Sequence, residues 1–106
     1  MVGIAWRAAR LGAGVPQTGV EVQSNEFNES AIRTSICAAI TSNMRLADAP
    51  GNVRVTRRAS GLPQASVVNV SQLITLDKQR LTEKIGRLPA ESLRDVGVGI
   101  RLVLAL

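Results

Sequence analysis

The chain has no histidine and no tyrosine, a single cysteine, one tryptophan and one phenylalanine. Each shortage removes a class of chemistry. Without imidazole, a Ser-His-Asp or Cys-His catalytic set is excluded. One thiol and no imidazole do not make a zinc site, so no metal and no cofactor are expected. Cys37 has no second cysteine in the chain to pair with, and it sits inside an apolar run, as a core thiol does. That pattern suits a reducing cytoplasm. With only Trp6 and Phe27 aromatic, the core must be aliphatic. No apolar run approaches the ~20 residues of a membrane span, so no membrane association is expected. The first residues carry two arginines but no continuous apolar stretch of the signal type.

What remains is basic and arginine-rich. Thirteen Lys and Arg oppose eight Asp and Glu, a formal net charge of +5. Eleven of the thirteen cations are arginine. Arginine forks onto phosphate through paired hydrogen bonds, so the bias points to a polyanionic partner, with a merely basic surface as the equal alternative. The length of 106 residues is that of one domain, taken here as 1–106.

Residues 32–43 organise the chain. The short apolar run 36–40 suits a strand buried on both faces. It ends on Thr41, Ser42 and Asn43, which is either a core strand simply reaching solvent, the commoner case on composition alone, or two hydroxyls and an amide delivered by a rigid element to a small site. Upstream, residues 3–6 can begin a strand with Trp6 toward the core. Residues 12–19 read as loop, with Gly12, Gly14, Pro16 and Gly19 as breakers. Residues 20–23 form a short strand with Val20 and Val22 on one side and Glu21 on the other. Residues 24–30 are rich in turn formers.

Downstream, Ala49-Pro50-Gly51 is a loop and residues 53–56 alternate as a half-buried strand. Arg54, Arg57 and Arg58 make the densest positive cluster, either a solvated face or a phosphate-binding patch. Residues 66–70 and 72–76 are extended, with a bend at Ser71. Asp77 can cap one helical turn. Residues 84–88 suit a last strand, with Gly86 at a bulge or a close backbone approach. From Pro89 the spacing predicts a helix whose stripe is Leu93, Val96, Ile100, Val103 and Leu104. Gly97 and Gly99 weaken that helix unless they permit close packing. Short strands followed by one helix make a mainly β, α+β architecture, or a small barrel with an appended helix.

Several segments together resemble the MazF/PemK family of toxin endoribonucleases. They are Gln23-Ser24-Asn25-Glu26-Phe27-Asn28, then Ala38-Ala39-Ile40-Thr41-Ser42-Asn43, then Ala49-Pro50-Gly51-Asn52-Val53. Leu62-Pro63, Ser66-Val67-Val68-Asn69-Val70-Ser71-Gln72, Thr75-Leu76-Asp77 and Ile85-Gly86-Arg87-Leu88 follow in family order, so the resemblance covers residues 23–106. It implies an SH3-like small β-barrel with a C-terminal helix. It implies a cytoplasmic homodimer and a toxin restrained by a cognate antitoxin with an acidic C-terminal segment. It implies metal-independent, sequence-selective cleavage of single-stranded mRNA, the 2′-hydroxyl attacking its own phosphate to leave a 2′,3′-cyclic phosphate. Thr41 falls on the family's catalytic threonine. Asn28, Ser71 and Gln72 fall on or beside RNA-contacting positions. Ser42, Asn43, Arg54, Arg57 and Arg58 complete the expected RNA surface.

Residues 1–22 depart from the family pattern. Counting back from Gln23, the family's catalytic arginine falls on Gln17 and its proline on Thr18. Arg7 and Arg10 are the arginines available to take that place. Two further readings follow from the departure. One is a catalytically impaired dimer that binds RNA or antitoxin. The other is a gyrase poison of the CcdB type, disfavoured because the chain ends without a tryptophan.

Overall fold

The computed structural model describes Met1, residues 3–8 and residues 17–106. Gly12, Gly14 and Pro16 of the expected loop, and Arg10, lie outside the described residues. Six strands form one sheet: β1 (Ile4–Ala8), β2 (Gln17–Glu21), β3 (Thr34–Thr41), β4 (Val53–Val55), β5 (Ser66–Asp77) and β6 (Glu83–Arg87). Their order is β4-β5-β3-β2-β1-β6, and every neighbouring pair is antiparallel. With α3 (Ala90–Leu104) added, this is the expected mainly β fold. The sheet curls into a half-barrel.

β3 is central, with β2 on one side and β5 on the other. Cys37 and Ala38 are fully buried, but Ile36 is 44% exposed, so only the middle of the apolar run is covered on both faces. β5 is one strand of 12 residues rather than two. Ala38 pairs with Leu73, while the next residue, Ala39, pairs with Asn69. Val70, Ser71 and Gln72 are therefore looped out of the ladder to β3, which is the bend expected at Ser71. Such an irregularity bends a strand and raises local twist, and here it helps the sheet curl.

The core is aliphatic. Val20, Ala38, Val55, Leu62, Val68, Val70, Leu88 and Val96 form one cluster, with Leu93 and Ile100 of α3 packed on it. The last part of the expected helix stripe does not join them. Val103 and Leu104 are 40% and 50% exposed because the helix runs on past the cluster. Gly99 permits the tight seat of α3. A Cβ there would stand 2.1 Å from the Gly51 carbonyl oxygen. Gly86 meets both expectations. A Cβ would stand 2.4 Å from the Ser60 carbonyl oxygen, and the β1–β6 register slips beside it.

Three local expectations change. β2 starts at Gln17, so Gln17, Thr18 and Gly19 belong to a strand, drawn in by pairing with β1. Glu21 is buried, not solvated, because the Trp6 indole N–H donates to its carboxylate. Trp6 is accordingly half-buried rather than a core residue. The turn-forming stretch folds into a short helix, α1 (Asn25–Glu29), and the basic turn into another, α2 (Arg57–Ser60). Thr56 accepts from the Ala59 N–H at the start of α2, a side-chain N-cap. Asp77 accepts from the Gln79 N–H at 2.9 Å and so starts the short turn Lys78–Arg80, as expected.

Candidate active site

A cavity of about 390 Å³ opens where four segments meet. Arg7 enters it from β1, and Gln17 and Thr18 from the start of β2. Thr41 and Ser42 come from the end of β3, and Gln72 from the looped-out part of β5. Leu62, Pro63, Gln64 and Ser66 close the remaining side. The register explains the meeting. Arg7 pairs with Thr18, and Thr41 pairs with Val67, so all of them lie toward one end of the strands.

Thr41 Oγ1 accepts from the Asn43 N–H at 3.1 Å. That bond uses a lone pair and leaves the hydroxyl proton to donate. Asn43 Oδ1 in turn accepts from the Arg45 N–H at 3.2 Å, capping the turn Met44–Asp48. The two bonds make a short relay that fixes the end of β3 and orients the Thr41 hydroxyl. Asn43 thus supports the site's geometry and does not itself line the cavity. Ser66 Oγ donates to the Gln64 carbonyl at 3.0 Å and steadies the opposite wall.

Arg7 is the only charged residue among the described residues that line the cavity. Its Nε lies 3.7 Å from Glu83 Oε2, and both side chains are well exposed. Exposed pairs of this kind contribute about 0–1 kcal/mol, so the contact orients the guanidinium more than it neutralises it. Among the described residues no carboxylate or imidazole lines the wall. Among the described residues no three His, Cys, Asp or Glu are grouped to hold a metal.

The other expected residues are dispersed. Ser71 Oγ donates to Asn69 Oδ1 at 2.9 Å, close in sequence to Gln72 but outside the lining. Arg57 and Arg58 are exposed on α2, just before the wall residues 62–64. Arg54 stands apart: it meets Asp48 at 3.4 Å and lines a groove between β4 and α3. Asn28 sits on α1, its side chain bonded to Gln23. Sequence reasoning missed Gln64 and Ser66 as wall residues, for neither carries a chemical signature. It had numbered Gln17 and Thr18 only as the places where an arginine and a proline were missing.

Cys37 is not part of this chemistry. Burial pushes its thiol from the usual 9.0 up to about 11, and the Glu21 carboxylate adds to the rise. Ser35 Oγ, buried without a nitrogen or oxygen partner, offsets part of it by its contact with the thiol. Cys37 packs instead with Ala8 and Leu76.

Residues 20–104 match the profile of the PemK-like, MazF-like toxins of type II toxin-antitoxin systems. Endoribonuclease MazF6 of Mycobacterium tuberculosis is 45% identical over 85 residues, which are 80% of this chain and 75% of that protein. Endoribonuclease EndoA of Bacillus subtilis is 35% identical over 96 residues, 88% of this chain and 83% of that protein. Among solved structures, the Mycobacterium tuberculosis toxin MazF-mt6 aligns with a TM-score of 0.82 over 97% of each chain, at 20% identity. A mycobacterial endoribonuclease in complex with its cognate antitoxin aligns with a TM-score of 0.77, covering 100% of this chain and 93% of that one, at 19% identity. The two structural alignments bear on the fold, and they extend it to β1 and the start of β2, which the family profile does not reach.

Proposed function

Since this chain belongs to the family of PemK-like, MazF-like toxins of type II toxin-antitoxin systems, we propose that it cleaves single-stranded mRNA at selected sequences, with Thr41 and Arg7 as its catalytic pair. The observation that carries the assignment of Arg7 is that Arg7 and Thr41 line the same cavity. Gln17, where the family's arginine would fall, lines it too but has no charge to give. Arg7 reaches in from the neighbouring strand and supplies that charge.

The reaction is an internal transfer. The ribose 2′-oxygen bonds to the adjacent phosphorus, the bond from phosphorus to O5′ breaks, and a 2′,3′-cyclic phosphate and a 5′-hydroxyl remain. Negative charge grows on the non-bridging oxygens. The Arg7 guanidinium neutralises it and the Thr41 O–H donates to it, both without rearrangement at the moment of reaction. Among the described residues no carboxylate or imidazole lines the cavity wall, so the 2′-hydroxyl proton passes to water and a water returns one to the departing O5′. Ser42, Gln72 and the amide of Asn28 meet bases of the splayed strand. Arg57 and Arg58 hold phosphates beyond the cavity rim, and Arg54, Asn43 and Ser71 extend or support that surface. Arg10 lies outside the described residues and remains a second candidate for the cationic role.

The toxin acts in the cytoplasm as a homodimer and is restrained by an antitoxin whose acidic segment competes for the cationic cavity. The exposed Val98, Leu102, Val103 and Leu104 of α3 support a self-association surface. The reading as a binding dimer without catalysis rested on the absence of an arginine near Thr41. Arg7 removes that reason. Incubation of the purified protein with a long single-stranded RNA in the presence of chelator tests the proposal. Cuts ending in cyclic phosphate are expected, and Thr41→Val, which keeps shape and removes the hydroxyl, should abolish them while the protein stays folded. RNA left whole by the wild-type protein across varied sequences would reject it.

A further inference from the structure

The orientation of the Asn28 amide is dictated by the main chain. The Ile36 N–H donates to Gln23 Oε1 at 3.1 Å. A backbone N–H can only donate, so the Gln23 atom that faces it must be the amide oxygen. The other arm of Gln23 is then its NH2, which donates to Asn28 Oδ1 at 2.9 Å. Asn28 therefore spends its oxygen inward and presents its own NH2, which has no hydrogen-bond partner among the described residues. The backbone beneath it is pinned as well. Lys78 Nζ donates to the carbonyls of Phe27, Asn28 and Ser30 at 3.0, 3.2 and 3.1 Å, using all three of its N–H groups.

Through Gln23 this amide is tied to Ile36, on the same strand that delivers Thr41 to the cavity. Ile36 precedes Thr41 by five residues on β3, roughly 17 Å at about 3.3 Å per residue. Ile74, which lines the cavity, pairs with Cys37, the residue next to Ile36. We propose that Asn28 is a donor-only base reader that accepts the keto edge of uracil or guanine and disfavours the amino edge of cytosine or adenine. Gln23 is the positioning residue that sets this polarity. The inference rests on the RNA-cleaving reading above. Uracil O4 and guanine O6 accept hydrogen bonds, whereas cytosine N4 and adenine N6 donate. An NH2 facing an amino group leaves both donors unmet, which separates the two classes of base by about three- to tenfold for a single bond.

A random single-stranded RNA pool measures the preference in two ways. The bound fraction of a 2′-O-methylated, uncleavable pool is sequenced, and so are the cut ends of the unmodified pool. The wild-type protein should favour U and G over C and A by about three- to tenfold at one position. Gln23→Glu should reverse that preference. Its carboxylate still accepts from Ile36 N–H, but its second oxygen now accepts from the Asn28 NH2 and turns Oδ1 outward. Asn28→Asp should reverse it too, and Gln23→Ala should bring it toward unity because Asn28 can then rotate. If Gln23→Glu does not fold, Asn28→Asp, on a helix with no buried residue, carries the reversal test. A wild-type pool without keto preference, or an unchanged preference in a folded reversal variant, overturns the inference. A keto preference in the bound pool without any cut ends rejects cleavage and leaves the inference standing; cuts without the preference do the opposite. RNA neither bound nor cut rejects both.

Discussion

At the scale of single residues, the proposed reaction rests on one cation and one hydroxyl, Arg7 and Thr41, which line one cavity. Arg7 is half-exposed, and its partner among the described residues is the exposed Glu83 carboxylate. Arg7→Ala should therefore leave the melting temperature within a few degrees of the wild type and slow RNA cleavage by about 10²–10³-fold, as loss of a charge-stabilising donor does elsewhere. Glu83→Gln is the companion measurement. It should change the rate by only a few-fold, because an exposed pair contributes little. If both variants cut like the wild type, the cationic role belongs to another residue. Cys37 offers a prediction on stability. Its folded thiol titrates near 11, above the ordinary 9.0, so the unfolded chain ionises first as pH rises. Its contribution to stability is complete below pH 9 and is lost between about pH 9 and 11. Denaturant midpoints over that window should fall for the wild type more steeply than for Cys37→Ala. The roles of these residues were unequally visible. Thr41 was a candidate because it ends an apolar run and falls on the family's active-site threonine. Arg7 did not, because its value comes from pairing with Thr18 across the sheet.

At the scale of elements, α3 and the bend in β5 do most of the shaping. The two glycines of α3 look alike in sequence but differ in surroundings. Gly99 lies against Gly51, where a Cβ would sit 2.1 Å from a backbone oxygen that cannot move aside. Gly99→Ala should cost about 2–3 kcal/mol by overpacking. At Gly97 a Cβ would meet only the Met1 Cε at 3.5 Å. Gly97→Ala should stabilise by about 0.5–1 kcal/mol through helix propensity. Chemical denaturation of the two variants side by side checks both signs, and equal effects would mean that α3 is not seated as described. The helix itself was legible from its 3.6-residue spacing. How far its stripe stays covered was not, because coverage of Val103 and Leu104 depends on where the sheet ends. β4 and β5 were legible from alternation and β-branched residues. The short helices α1 and α2 were not, since each is shorter than the window over which periodicity is readable.

At the scale of the whole molecule, the +5 charge and the geometry of its arginines predict salt-dependent RNA binding. For a single strand the slope of log K against log salt is about −0.7 per phosphate contacted. Replacing both Arg57 and Arg58 by Ala should flatten the slope by about 1.4 without changing which sequences are cut. An unchanged slope would remove α2 from the RNA path. The same charge balance was evident before any fold was known, and it is a property of composition alone. Where the charges act is another matter. Arg54 is next to Arg57 and Arg58 in sequence, yet β4 carries it to the groove beside α3, paired with Asp48, while α2 leads into the cavity wall.

The amino-acid sequence alone determined the aliphatic core, the absence of imidazole and thiol catalysis, the basic balance and the family to which residues 20–104 belong. These follow from residue types and local spacing, which do not wait on long-range contacts. The tertiary structure brings Arg7 into the cavity that Thr41 lines, turns the Asn28 oxygen toward Gln23 and sets Gly99 against Gly51. Each of those turns on strands or helices far apart in the chain coming within a few ångströms of one another, and that distance is set by register and packing rather than by any neighbouring residue.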